Sequence, residues 1–426
     1  MRKAGETVAL IVQKYGGTSV ANTEKIKNVA RRVAETRNGG NKLIIVVSAM
    51  GEMTDELVDL ASQITDSPNE REYDMLLSTG EQISVALLAM ALQALGHEAI
   101  SFTGGQVGIK TDGWHTKARI LSIDTSRIQK ELEAGKIAIV CGFQGVNSDY
   151  DITTLGRGGS DTSAVALAAA FRADLCEIYT DVDGVYTADP RIVPEARKLA
   201  RIAYDELLEM ASLGAQVMQP RAVEFGKKYG VPMRIRSSYN KDTGTLVTKE
   251  VAAMEKVVVS GATLNEKEAK ITLVGVTDKP GVAATLFENI AAQNIVVDMI
   301  IQNVSEGGLS DISFTVPKDD MKKAVKVAEQ IKKEIGARDV RADSNIAKVS
   351  VVGVGMRSHS GVAAKMFKTL ADEGINIDMI STSEIKISCV VEGSRGRDAL
   401  RALHGVFELE KAAALIEEQA HESRTV

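Results

Sequence analysis

Residues 281 to 300 of this chain recur at a fixed offset of 80. Gly281, Val282, Ala283, Ala284, Phe287, Ala291, Ile295, Asp298, Met299 and Ile300 each meet an identical residue, from Gly361 to Ile380. A repeat of this kind constrains the fold more than any composition, because both copies must adopt one local structure. The first copy begins with an apolar run, Ile271 to Val276, and the second with Val349 to Val354. Each reads as strand, turn, helix, strand, strand, helix, which is a ferredoxin-like plait. Two copies are too few for a solenoid, so they predict a paired module. The turn after each first strand opens a helix and offers backbone N–H groups to an anion or amino acid. The competing reading of Asp278 is a plain cap for that helix.

The first 237 residues have another texture. Apolar runs at Val8–Val12, Lys42–Val47, Ala99–Thr103, Lys136–Cys141, Leu175–Thr180 and Met233–Ser237 alternate with helical segments. The helices are predicted at Asn22–Thr36, up to Ile64, Ile83–Leu95, Ser122–Ala134, Tyr204–Ser212 and Val217–Lys228. This alternation predicts an α/β fold, with a mostly parallel sheet covered by helices on both faces. Asp66–Glu72 reads as a polar surface loop and Gly142–Gly145 as a turn.

Three stretches carry candidate chemistry. The run Thr154–Ala170 holds Gly156-Arg-Gly-Gly-Ser-Asp161 and then small helix-forming residues. A glycine-rich turn feeding a helix suits an anion, and Arg157 adds a fork for carboxylate or phosphate. The plainer reading is a loop that needs glycine for its backbone angles. Lys14-Tyr-Gly-Gly-Thr-Ser19 follows a strand and lacks Walker A spacing. Its lysine is either a point charge at a phosphate site or a solvated residue before a tight turn. Ser48 and Thr54 follow the next strand, where open α/β sheets bind ligands. Glu81 opens a helix, as a ligand carboxylate or a first-turn charge. Asp181-Val-Asp-Gly-Val-Tyr-Thr-Ala-Asp-Pro-Arg191 is either a solvated acidic turn or a loop handling nucleotide and Mg²⁺.

Composition narrows the field. Lys and Arg number 51 against 57 Asp and Glu, for a net charge of -6. That balance argues against non-specific nucleic-acid binding. Cys141, Cys176 and Cys389 are far apart and read as reduced core residues, and the five histidines form no metal motif. No apolar run approaches about 18 residues, so no membrane span is expected. Met1 to Thr7 is polar and unlike a signal peptide. A cytoplasmic enzyme is expected.

Together these motifs resemble the aspartate kinases, of the lysine/threonine feedback-regulated type. The resemblance rests on Lys14–Ser19, Gly156–Asp161, Thr180–Arg191 and the tandem repeat, and it covers nearly the whole chain. It implies an amino-acid-kinase fold over 1–245, a linker and first regulatory strand over 246–262, and ACT modules over 263–345 and 346–426. It implies transfer of the γ-phosphoryl group of ATP, with Mg²⁺, to L-aspartate. Lys14 and Asp161 would be the catalytic pair. Lys14, Tyr15, Gly16, Gly17, Gly158, Gly159, Ser160, Thr180, Asp181, Tyr186 and Arg191 would hold ATP. Ser48, Thr54, Glu81, Arg157 and Asp161 would hold aspartate. No metal ligand is expected from protein side chains, the Mg²⁺ arriving with ATP.

The same resemblance implies lysine and/or threonine as effectors near Asp278, Gly281, Ile300, Gln302 and Asn303. In the second module Arg357-Ser-His-Ser360 departs from the proline that relatives often carry. The strand Lys256–Gly261 would join the second module, interleaving the two. A homo-oligomer is implied, and Met254 stands where some relatives start a short regulatory chain. A glutamate-type kinase of the same family and a non-catalytic amino-acid sensor are the alternatives. The tandem repeat counts against the first. Intact Lys14, Arg157, Asp161 and Asp181 count against the second.

Overall fold

The computed structural model describes residues 8–214, 217–249, 258–305 and 308–411. They form two units, one of 8–185, 198–212 and 217–249, the other of 186–197, 213–214, 258–305 and 308–411.

In the first unit the elements are β1 (Leu10–Tyr15), α1 (Thr23–Asn38), β2 (Lys42–Val47), α2 (Met53–Ile64), α3 (Glu70–Leu77), α4 (Thr79–Ala94) and β3 (Ala99–Phe102). There follow β4 (Ile109–Thr111), β5 (Ile120–Ile123), α5 (Ser126–Glu133), β6 (Ile137–Cys141), β7 (Gln144–Val146), β8 (Ile152–Thr154), α6 (Gly159–Ala170) and β9 (Leu175–Thr180). The last are β10 (Arg201–Ala203), α7 (Tyr204–Ser212), α8 (Pro220–Tyr229), β11 (Met233–Ser237) and β12 (Thr245–Thr248).

Eight strands form one sheet in the order β10-β12-β11-β9-β1-β2-β6-β3. Every pairing from β11 to β3 is parallel, and β12 runs antiparallel to β11. Leu43 to Val47 are all buried, as a strand covered on both faces requires. Leu43, Ile45 and Val47 share one core with Ile26, Val29 and Val33 of α1 and Leu88 and Leu92 of α4. Asn22 caps α1 by accepting from the Lys25 N–H at 3.0 Å.

Several boundaries differ from expectation. The first strand is shifted to Leu10–Tyr15, because Lys14 pairs in register with Val46 and Ile178. The helix expected over Ser122–Ala134 begins only at Ser126, because Ser122 and Ile123 pair with Lys110 and Ile109. Gly145 lies in β7, not a turn, and the loop at Asp66–Glu72 already enters α3. A second small sheet, β5-β4-β7-β8, was not expected. Its strands span three or four residues each, too short for a periodic signal. Glu70–Ala94 is long and apolar enough to cross a membrane by length and composition, contrary to the reading of the sequence. Half of its apolar window is buried, and Leu88 and Leu92 lie wholly inside the core, which accounts for its composition.

The second unit contains β13 (Gly261–Asn265), β14 (Glu268–Thr277), α9 (Val282–Ala292), β15 (Ile300–Ser305), β16 (Leu309–Pro317), α10 (Met321–Ile331) and β17 (Asp339–Asp343). The second copy supplies β18 (Ile346–Val352), α11 (Val362–Asp372), β19 (Met379–Thr382), β20 (Lys386–Glu392) and α12 (Gly396–Val406). The sheets run β15-β16-β14-β17 and β19-β20-β18-β13. The two orders correspond, except that β13, which precedes the first copy, takes the fourth place in the second copy's sheet. It pairs antiparallel with β18, and it begins at Gly261, not Lys256. Met254 and Lys256 lie outside the described residues.

The two sheets meet around a local two-fold relation. Lys270 pairs with Asp378 at 2.7 Å, and its repeat equivalent Lys348 pairs with Asp298, the equivalent of Asp378. Lys348 also contacts Glu268, where the first copy's lysine has no counterpart because Ile346 takes that place. Met299 and Met379, again repeat equivalents, pack in one cluster with Ile346 and Val390.

Candidate active site

The strand order reverses at β1: β2 lies on one side and β9 on the other. A crevice at the carboxyl ends of these strands is where such sheets bind ligands. Lys14, Ser48 and Thr180 all fall at those ends.

The turn after β1 is shaped by close approach. A Cβ on Gly17 would stand 2.9 Å from the Ala49 carbonyl oxygen, and one on Gly16 3.4 Å from Nζ of Lys14. The ammonium therefore hangs over the Gly16–Gly17 turn. Nζ lies 2.7 Å from Oδ1 of Asp161, in the first turn of α6. The other Asp161 oxygen accepts from the Gln219 N–H at 3.3 Å. The two expected catalytic residues thus meet directly. Tyr15 does not join them. Its ring is wholly buried and stacks on Tyr179 at 4.7 Å, so it is closed to a nucleotide. It belongs instead to a buried polar network in which Tyr179 and Gln13 both donate to Glu177, and Arg236 holds the same carboxylate at 2.8 Å.

The glycine-rich loop joins β8 to α6. Gly156 and Gly158 have φ of 80° and 69°. A Cβ on Gly158 would stand 1.7 Å from Cγ of Gln219, so a side chain there would have to displace that of Gln219 as well as adopt a left-handed backbone. Gly159, Ser160 and Asp161 are buried at the start of a helix with ten buried residues. Arg157 is exposed and has no hydrogen-bond or ion-pair partner among the described residues. Its guanidinium is available to an anion.

Glu81 is buried in the first turn of α4. Gly80 permits this: a Cβ there would stand 2.8 Å from that of Ala49. The Ala49 N–H donates to Oε1 of Glu81 at 3.0 Å, while Oε2 is buried without a partner. Burial pushes the Glu81 pKa up to about 8, against the lowering effect of backbone hydrogen bonds. An unsatisfied buried carboxylate oxygen costs free energy unless a ligand donor arrives. Ser48 and Thr54 are half-buried, on the segment that carries Ala49.

Thr180 donates to Asp181 at 2.9 Å, and Asp181 is exposed. Among the described residues no group of three or more His, Cys, Asp or Glu forms a metal cage. Tyr186 and Arg191 lie in the segment that groups with the second unit. There Arg191 is bidentate to Asp189, with its closest contact at 2.7 Å, and Thr187 meets the buried His404 at 3.0 Å.

In the tandem repeat, Gly281 has φ of 97° and is the cap residue of α9, so Asp278 does not cap that helix. The Asp278 N–H donates to the Gly308 carbonyl at 3.0 Å. Ile300, Gln302 and Asn303 are exposed on β15, an edge strand. Alternation puts Ile300 and Gln302 on one face and Asn303 on the other, with Ile301. Of the three strand positions, Asn303 therefore does not share a face with Ile300 and Gln302.

Sequence reasoning missed several neighbours. Ser238 accepts at 2.9 Å from Ser19 and donates to the Thr180 carbonyl at 3.2 Å, joining the β1 turn to β9. Its place at the end of β11 was the available signal. Gln219, which presses on Gly158 and holds Asp161, carried none.

Residues 9–237 match the amino acid kinase family, and residues 271–331 and 349–407 match the ACT domain. The chain is 55% identical over 407 residues to an aspartate kinase of Stutzerimonas stutzeri, covering 95% of this chain and 99% of that protein. It is 54% identical over 408 residues to an aspartokinase of Pseudomonas aeruginosa, with the same coverage of 95% and 99%. Among solved structures, E. coli aspartokinase III in complex with aspartate and ADP has a TM-score of 0.79 at 25% identity, covering 93% of this chain and 99% of that one.

Proposed function

The chain belongs to the aspartate kinases of the amino acid kinase family, and on that premise we propose how its residues transfer the γ-phosphoryl group of ATP to the β-carboxylate of L-aspartate, giving 4-phospho-L-aspartate. The observation that carries the assignment is the Lys14 ammonium held over the Gly16–Gly17 turn, 2.7 Å from Asp161. The acceptor carboxylate is already ionised at pH 7, so no general base is needed. The protein's work is to align two anions and neutralise charge on the transferred group. Lys14 and the Gly17 amide serve the phosphoryl group, with Gly158 and Ser160 offering backbone amides at the start of α6, whereas the Gly16 and Gly159 N–H groups are taken by the Tyr179 and Gly156 carbonyls at 3.3 and 2.9 Å. Arg157 takes a carboxylate of aspartate, and Glu81 and Asp161 take its ammonium. Ser48 and Thr54 complete that pocket. Thr180 and Asp181 hold the nucleotide. A Mg²⁺ arriving on the ATP phosphates would supply charge neutralisation there, on the side of the nucleotide that Asp181 would serve.

The regulatory unit takes lysine and/or threonine as feedback effectors. We assign it 263–345 and 346–426 as two interleaved modules, after a catalytic domain over 1–245. A homo-oligomer in the cytoplasm, with a short second chain starting at Met254, completes the proposal. Expression of the native gene yielding one full-length species alone removes that last part. The central test is ADP release with aspartate, with glutamate and with no acceptor. Release is expected with aspartate alone. Equal release with glutamate overturns the acceptor assignment, and none with either overturns catalysis.

A further inference from the structure

No carboxylate among the described residues is more deeply enclosed than Asp74 on α3, at 0% exposure. A buried carboxylate is tolerated only where donors satisfy it. Here they come from two other segments. His115 Nδ1 lies at 2.8 Å, the Thr116 N–H at 3.1 and 3.0 Å from the two oxygens, and Thr154 Oγ1 at 2.5 Å. A carboxylate accepts, which assigns the proton to Nδ1 of His115.

The segments so gathered flank the Arg157 loop. Thr116 has φ of 63°, in the left-handed region that a β-branched residue rarely adopts. Strain of that kind persists only where the surroundings fix it, and both Asp74 oxygens accept from this residue. A Cβ on Gly156 would stand 3.2 Å from the Thr116 carbonyl oxygen, so the strained turn lies against the residue preceding Arg157. Thr154 ends β8, three positions before Arg157, and its carbonyl accepts from the Ala118 N–H at 2.9 Å. Arg221 ties the same two segments, donating to the Leu155 carbonyl at 3.0 Å and the Ala118 carbonyl at 2.9 Å.

We propose that Asp74 is a positioning residue for the acceptor: by fixing the His115–Thr116 turn and the Thr154 hydroxyl, it sets where the Arg157 loop begins and where its guanidinium points. This rests on the assignment of Arg157 to the acceptor carboxylate. Asp74 touches no reacting atom, and its effect is read through KM rather than through chemistry.

The test compares full-length Asp74→Asn, Arg157→Ala and the double variant, with Thr154→Val deciding if Asp74→Asn fails to fold. KM for aspartate, KM for ATP, kcat and melting temperature are measured for each. Asp74→Asn, and Thr154→Val to a lesser degree, are expected to raise KM for aspartate about tenfold or more and about threefold, with KM for ATP unchanged within about twofold. In the Arg157→Ala background the Asp74 substitution should add little, because the two residues act on one interaction. If Arg157→Ala leaves KM for aspartate unchanged, the Arg157 assignment fails and this proposal with it. If Arg157→Ala raises it while the folded Asp74→Asn and Thr154→Val enzymes do not, only the positioning role is overturned. A lowered melting temperature with both KM values unchanged overturns it equally.

Discussion

Lys14 and Asp161 are each largely buried and each is the other's ion partner at 2.7 Å. Lys14→Ala removes the charge held over the glycine turn. Its expected effect is a fall in kcat of about 10²–10³-fold or more, with the fold intact. Steady-state rates beside far-UV circular dichroism check both halves. Glu81 makes a second, pH-dependent prediction. Its pKa is raised from 4.5 to about 8 by burial, so the free enzyme holds it mainly protonated at neutral pH. Binding an ammonium requires the ionised form. KM for aspartate should therefore fall as pH rises from about 6.5 to about 8.5, while KM for ATP stays level. The stability effect has the opposite sign. Because the folded pKa lies above the unfolded one, the contribution is complete below pH 4.5 and is lost as pH climbs through about 8. Glu81→Gln should flatten both dependences, measured by KM profiles and by urea unfolding across that range.

At the scale of elements, the glycine loop shows why some of the site was legible in advance. Gly16, Gly17, Arg157 and Gly158 lie within a few residues of a strand end or a helix start, so the pattern is local. Asp74, His115 and Thr154 are not local: their side chains meet across 41 and 80 positions. An aspartate in a helix and a lone histidine carry no joint signal, and only the folded sheet brings them together. The same holds for Gln219, which approaches Gly158 across 61 positions. The shifted boundaries have one cause as well, since short strands such as β5 are decided by their partners rather than by their own residues. The loop prediction follows from its clash. Gly158→Ala meets both a left-handed backbone and Gln219 at 1.7 Å. Gly96→Ala meets the backbone term alone, with φ of 83° and nothing within 4 Å. The control should cost about 1–2 kcal/mol, and Gly158→Ala clearly more, with loss of activity. Thermal unfolding of both variants measures the difference.

At the scale of the molecule, the alternation of strand and helix and the tandem repeat foretold the architecture. They did not foretell the unequal pairing inside the regulatory unit. Lys270 is 22% exposed and has Asp378, whereas Lys348 is 1% exposed and holds two carboxylates, Glu268 and Asp298. Removing a buried cation leaves the buried Glu268 without its ion partner, while Asp298 at 42% exposure can turn to solvent. Lys348→Ala is expected to cost about 3–5 kcal/mol. The repeat-equivalent Lys270→Ala is expected to cost about 0–1 kcal/mol. Urea unfolding of the full chain compares them, and equal costs would show that the two halves of the junction are interchangeable.

The reciprocal lysine–aspartate pairs have one more consequence. Two separate copies of such a module, meeting through the same contacts, would associate by mass action and part on dilution. Here the peptide chain joins them, so each is held at a high effective concentration of the other whatever the abundance of the protein. The junction between the modules is therefore set by the gene rather than by expression level. Each copy is also free to drift from its twin, as Glu268 and Ile346 have done, without having to remain complementary to itself.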